Sequence, residues 1–155
     1  MNSDHSSWHL NVPASIVVVA HSPRWQSQIQ RSVKSLEQTA KVHWLLDFES
    51  ARKFIVSNEC SAMIVELPDS FTQKPKATLN LVVELCNNPQ QCPLFLLGDD
   101  SIDPWRTILA EAGATDTCGS ILAYVKAWPR IERLLKIRPT HDLTVEESVA
   151  ARLPW

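Results

Sequence analysis

A chain of 155 residues, 45% hydrophobic and 21% charged, is long enough for one domain with a real core and has the make-up of a globular protein. Its formal net charge of −2 supplies no basic field, so neither nucleic acid nor an anionic membrane surface is expected as a partner. The early apolar run at 16–20 is too short for a signal sequence core or a membrane span, and the expected location is the cytoplasm.

Residues 1–14 are polar and hold Pro13, which predicts an N-terminal arm that Trp8 and Leu10 could pin to the body. The run Ser15-Ile16-Val17-Val18-Val19-Ala20 is β-branched without alternation, the pattern of a strand buried on both faces. Ser22 and Pro23 then supply an N-cap and a first-turn proline. Trp25, Ile29, Val33 and Leu36 recur at helical spacing and predict a helix over 24–38. A second strand follows at 42–46. Asp47 and Ser50 open a short helix with Ala51, Phe54 and Ile55 on its apolar face.

The third strand, 62–67, ends on one carboxylate, Glu66, just before Pro68. A loop over 68–76 leads to a helix over 77–87, with Leu79, Val82, Val83 and Cys86 on one side and Leu81 and Leu85 widening the stripe. Pro93-Leu94-Phe95-Leu96-Leu97 is a fourth buried strand, closed by Gly98-Asp99-Asp100. Asp103 and Pro104 predict the cap and first position of a helix whose inner face is Trp105, Ile108, Leu109 and Ala112, and Gly113 ends it. A weak fifth strand spans 115–120. The last helix of the body, 122–137, carries Val125, Trp128, Ile131, Leu134 and Leu135 on one stripe, with Pro129 predicting a local kink. The tail over 139–155 opens a capping box at Thr144 and Glu147 and predicts a two-turn helix lined by Val145, Val149 and Leu153.

Five successive strand-then-helix units with short connections predict an α/β fold, a doubly wound parallel sheet with helices on both faces. The body runs over 15–138 between the arm and the tail. The four cysteines, Cys60, Cys86, Cys92 and Cys118, form no Cys-x-x-Cys and read as reduced, mostly buried thiols; Cys86 and Cys92 flank a turn and could approach each other.

The order of elements resembles the receiver domain of two-component response regulators. The resemblance rests on Ile16-Val17-Val18-Val19 followed by Ser22-Pro23, on Met63-Ile64-Val65-Glu66-Leu67-Pro68, on Pro93-Leu94-Phe95-Leu96-Leu97, on the turn Ala112-Gly113-Ala114-Thr115-Asp116, and on Ile131, Leu134 and Leu135 at the close. It implies a five-stranded sheet in the flavodoxin-like order 2-1-3-4-5. It also implies a phosphoryl-transfer site: an acceptor Asp after strand three, an acidic pair after strand one to hold Mg²⁺, a Thr or Ser after strand four, and a Lys after strand five.

Each of those positions departs from the pattern. The acidic pair falls on Ala20 and His21, the acceptor on Glu66, the hydroxyl on Gly98 and the lysine on Ser120, with Ile121 in place of the proline that follows. Without the acidic pair and the lysine, the charges that stabilise a transferring phosphoryl group are missing. The expectation is a degenerate pseudo-receiver, not an enzyme, with no metal and no cofactor, that acts in signal transduction by protein–protein interaction without phosphorylation. Two alternatives stay open: residual phosphorelay through Glu66, and a small ligand-binding or enzymatic domain using the cleft near His21, Glu66 and Asp99, where Asp99 and Asp100 could join Glu66 around a metal. Receivers use the face of helix four, strand five and helix five for contacts. By resemblance that face holds Trp105, Arg106, Tyr124, Lys126 and Arg130 as candidate interaction residues for a signalling partner or a homodimer, and Trp155 in the tail is a further candidate.

Overall fold

The computed structural model describes residues 14–36, 39–87, 90 and 92–136. The expectations for the arm with Trp8 and Leu10, and for the tail with its capping box and Trp155, lie outside these residues.

Five parallel strands, β1 (Ala14–Val19), β2 (Ala40–Leu45), β3 (Ala62–Glu66), β4 (Leu94–Leu97) and β5 (Asp116–Cys118), lie in the order β2-β1-β3-β4-β5. Between them run α1 (Pro23–Val33), α2 (Phe48–Ser57), α3 (Pro75–Cys86) and α4 (Arg106–Glu111), and α5 (Ile121–Lys136) follows β5. This is the expected doubly wound sheet. Register runs straight across its centre: Val17 opposes Met63, and Met63 opposes Leu94. Strand alternation therefore feeds two cores. Val17, Val19, Met63, Val65, Leu94 and Leu96 face α2, α3 and α4 with Phe48, Phe71, Leu85 and Leu109. Ile16, Val18, Ile64, Phe95 and Leu97 face α1 and α5 with Trp25, Ile29, Tyr124 and Ile131. Burial on both faces explains why the central strands show no polar alternation. Among the described residues no helix is long and apolar enough to cross a membrane.

Local chemistry sets most boundaries. The Ser22 hydroxyl accepts from Trp25 N at 3.4 Å, with Pro23 in the first turn. Asp47 accepts from Ser50 N at 2.8 Å and opens α2. Gly113 has φ +118°, a backbone conformation open mainly to glycine, and turns the chain from α4 towards β5.

Several faces differ from the sequence expectation. The helix expected over 24–38 is α-helical only to Val33 and tightens into a 3₁₀ turn, Lys34–Leu36. Asp103 does not cap α4. A 3₁₀ helix, Asp100–Trp105, comes first, capped by Asp99 and containing Pro104. Its three-residue turn rotates the following face, so Leu109 is buried and Ile108 is 43% exposed. On α3 the buried residues are Thr78, Val82 and Leu85, and Val83 is exposed. On α5 Tyr124 replaces Val125 on the inner stripe; Pro129 lies inside the helix, as the sequence placed it. Trp44 is exposed because β2 is an edge strand with a neighbour on one side only. The cysteine that meets Cys92 is Cys60, not Cys86.

Candidate functional site

Glu66 closes β3 and is buried, at 5% exposure. Because β1 lies beside β3 with Val19 opposite Val65, the turn leaving β1 crosses just beyond the third strand's end. Two backbone N–H groups of that turn, from His21 and Ser22, donate to Glu66 Oε1 at 2.9 and 3.0 Å. The other carboxylate oxygen, Oε2, lies 3.4 Å from His21 Nε2, which is also 3.1 Å from the Leu67 carbonyl. The carboxylate thus clips the β1–α1 turn to β3 by charge-assisted hydrogen bonds. It has the anchoring role of a buried polar group, with two backbone donors on Oε1.

The other positions that the resemblance to receivers singled out carry structural duties. Ala20 is nearly buried, and its carbonyl accepts from Gln26 Nε2 at 2.9 Å. The Gly98 carbonyl accepts from the buried Trp25 indole at 3.1 Å. A Cβ on Gly98 would stand 2.9 Å from Ile102 Cδ1, so the place of a side-chain hydroxyl is roofed by an isoleucine. The Ser120 hydroxyl accepts from Ala123 N at 3.1 Å at the start of α5.

A cleft of about 180 Å³ opens at the carboxyl ends of β3 and β4, bordered by Ser22, Arg24, Glu66, Asp69, Thr72 and Asp99. This is where ligands sit in an open α/β sheet. Asp99 is turned to its own loop, accepting from Ser101 N at 2.9 Å and from the Ser101 hydroxyl. Those bonds, helped by the Arg24 charge, hold its carboxyl below the usual carboxylate range. The residues present do not fit a magnesium site. Mg²⁺ takes hard oxygen ligands in near-octahedral array. Here the pair positions offer a methyl group and an imidazole, and Glu66 Oε1 already accepts two N–H groups. Among the described residues no group of three or more His, Cys, Asp or Glu side chains could hold a metal ion, so Asp99 and Asp100 do not gather with Glu66.

The candidate interaction residues divide. Arg106 and Lys126 are exposed, and Trp105 is half-buried with its ring edge-on to Phe71 at 5.3 Å. Tyr124 does not belong to the surface: it is fully buried, packed edge-on to Trp25 at 5.6 Å, and burial pushes its hydroxyl up to about 12. Arg130 pairs with Asp116, and Arg106 reaches the same carboxylate at 3.8 Å. Asp116 thereby joins α4, β5 and α5. Sequence reasoning missed it because one acid in a short strand carries no signal of which cations converge on it.

No protein-family model matches the sequence, and a search of curated proteins finds no similar one. Solved structures do match. The signal receiver domain of a signal transduction histidine kinase from Syntrophus aciditrophicus is similar at 21% identity and a TM-score of 0.59, covering 85% of this chain and 98% of that one. A CheY-like protein, tadZ, from Pseudomonas aeruginosa is similar at 17% identity and a TM-score of 0.61, covering 83% and 98%. The pilus assembly protein CpaE from Caulobacter crescentus is similar at 15% identity and a TM-score of 0.59, covering 79% and 97%. The chain has the receiver fold.

Proposed function

We propose that this chain is a pseudo-receiver, a regulatory module that acts by binding another protein of a signalling system, in the cytoplasm, without being phosphorylated and without catalysing a reaction. The observation that carries the proposal is the state of Glu66. Its carboxylate is held by the backbone of His21 and Ser22, and Ala20 and His21 stand where a phosphorylatable receiver needs two carboxylates. Phosphoryl transfer depends on a metal and fixed cations to offset charge on the transferring group. Glu66 also does not imitate a phosphoryl group well, having one charge and two acceptor oxygens where phosphate has about two charges and three.

Support for a binding role comes from the outer surface of α4 and α5. Ile108, Leu122 and Val125 are 43%, 63% and 48% exposed, with Arg106 and Lys126 on the same helices. Apolar groups rimmed by charge are the usual make-up of a protein contact. The partner is a signalling protein or a second copy of this chain. One of the matched structures is a pilus assembly protein, so the scaffold also occurs in a protein named for assembly and not for phosphorelay.

The test is incubation with acetyl phosphate and Mg²⁺, followed by intact-mass measurement and peptide mapping. The expected result is an unmodified Glu66. A phosphate adduct on Glu66 would overturn the proposal in favour of phosphorelay.

A further inference from the structure

Cys60 and Cys92 are 32 residues apart in sequence, yet their sulfurs lie 3.0 Å from each other. The topology brings them together. Cys60 leads into β3 and Cys92 into β4, and these strands pair in parallel with Met63 opposite Leu94. The two thiols therefore meet at the amino-terminal edge of the sheet, the edge opposite Glu66. Gln90 clamps the approach. Its Oε1 accepts from Cys60 N at 2.7 Å, and its Nε2 donates to the Ile55 and Asn58 carbonyls at 2.9 and 2.7 Å. A disulfide bond is about 2.04 Å long, so bond formation asks for about 1 Å of further approach.

We propose that Cys60 and Cys92 are a redox-modification site, a dithiol that a peroxide converts into an intramolecular disulfide. The Cys60 thiolate attacks the peroxide; an S–O bond forms, the O–O bond breaks, and the departing oxygen takes up a proton to leave as water. Cys60 is then a sulfenic acid. The Cys92 sulfur gives up its proton and attacks the Cys60 sulfur; the S–O bond breaks and the second water leaves. Two thiols lose two electrons, and one molecule of hydrogen peroxide gains them. The hydrogen bond from Cys92 holds the Cys60 thiol below its ordinary value, which favours it as the attacking sulfur. The other two cysteines stand apart from this chemistry. Burial pushes Cys86 up to about 11, and burial with the nearby Asp116 carboxylate pushes Cys118 up to about 12. Cys60 and Cys92 are each slightly exposed, at 8% and 7%, which leaves room for an oxidant as small as hydrogen peroxide. The site lies away from the cleft, so it goes beyond the pseudo-receiver proposal and does not depend on it.

The experiment treats the full chain, folded, with hydrogen peroxide, alkylates it under denaturing conditions, and maps the cysteine peptides. The expected result is an intact mass lower by two hydrogens, a Cys60–Cys92 linked peptide, reversal by dithiothreitol, and alkylated Cys86 and Cys118. Cys92→Ser should stop at a Cys60 sulfenic acid that dimedone traps, and Cys86→Ser should form the disulfide as the unaltered chain does. If either variant fails to fold, the map of the unaltered chain decides alone. Cys60 and Cys92 both alkylated after peroxide, or a disulfide through Cys86 or between chains, would overturn the proposal.

Discussion

A buried carboxylate has to find donors, and Glu66 finds two in the backbone of its neighbouring turn. Two consequences follow at this scale. Glu66→Ala leaves the His21 and Ser22 N–H groups without their acceptor in a nearly closed place, and should cost about 2–3 kcal/mol of folding stability in urea titrations. His21→Ala keeps both backbone N–H groups and loses only a half-solvated side-chain contact, so its cost should stay below about 1 kcal/mol. A larger loss for His21→Ala than for Glu66→Ala would reverse the roles assigned to them. The two capping aspartates set an acid limit. Asp47 and Asp99 both have carboxyl groups held below their ordinary value of 3.8, chiefly by hydrogen bonds from Ser50 and Ser101. A depressed folded value means that the unfolded chain binds protons first. Their contribution is present in full above about pH 4 and is lost as pH falls through the lowered folded values. Acid unfolding followed by circular dichroism should show that Asp47→Asn and Asp99→Asn flatten this part of the stability–pH curve. An unchanged curve in both would contradict it.

The helices carry the main lesson about legibility. Their existence and order were readable, because apolar runs, N-caps such as Ser22 and Asp47, and the break at Gly113 are local signals. Their rotation was less so. On α5 the stripe drawn through Val125, Trp128, Ile131, Leu134 and Leu135 holds at Ile131 and Leu135, which are buried, but takes Val125 where its neighbour Tyr124 is the residue that turns inward. A tyrosine looks amphipathic in sequence, and only the opposing ring of Trp25 shows why it turns inward. On α4 the preceding 3₁₀ turn changed the period, which periodicity at 3.6 residues cannot foresee. The expected outcome is a sharp contrast between neighbours. Tyr124→Ala should cost about 3–5 kcal/mol in thermal or urea unfolding, as large aromatic truncations in cores do. Leu122→Ser, two residues earlier and 63% exposed, should change stability by no more than about 0.5 kcal/mol. Similar losses at both positions would contradict the orientation of α5.

For the whole molecule, the doubly wound sheet was legible because strands buried on both faces leave an unmistakable run such as Ile16-Val17-Val18-Val19, and because short strand–helix units admit few topologies. The sequence expectation for the candidate site was a set of departures from the receiver pattern at Ala20, His21, Glu66, Gly98 and Ser120. What those residues do instead was not legible. That Glu66 takes the N–H groups of His21 and Ser22, that Ile102 roofs Gly98, and that Cys60 reaches Cys92 all depend on distances between segments far apart in sequence. The proposal of a pseudo-receiver rests on Glu66, whose Oε1 is bonded to the backbone of its own neighbouring turn. The most direct measurement is a titration of the ¹⁵N-labelled chain with Mg²⁺ and beryllofluoride, following the backbone N–H signals of His21, Ser22 and Glu66. No saturable shift is expected at any of the three. A saturable shift of all three with added Mg²⁺ and beryllofluoride would contradict it.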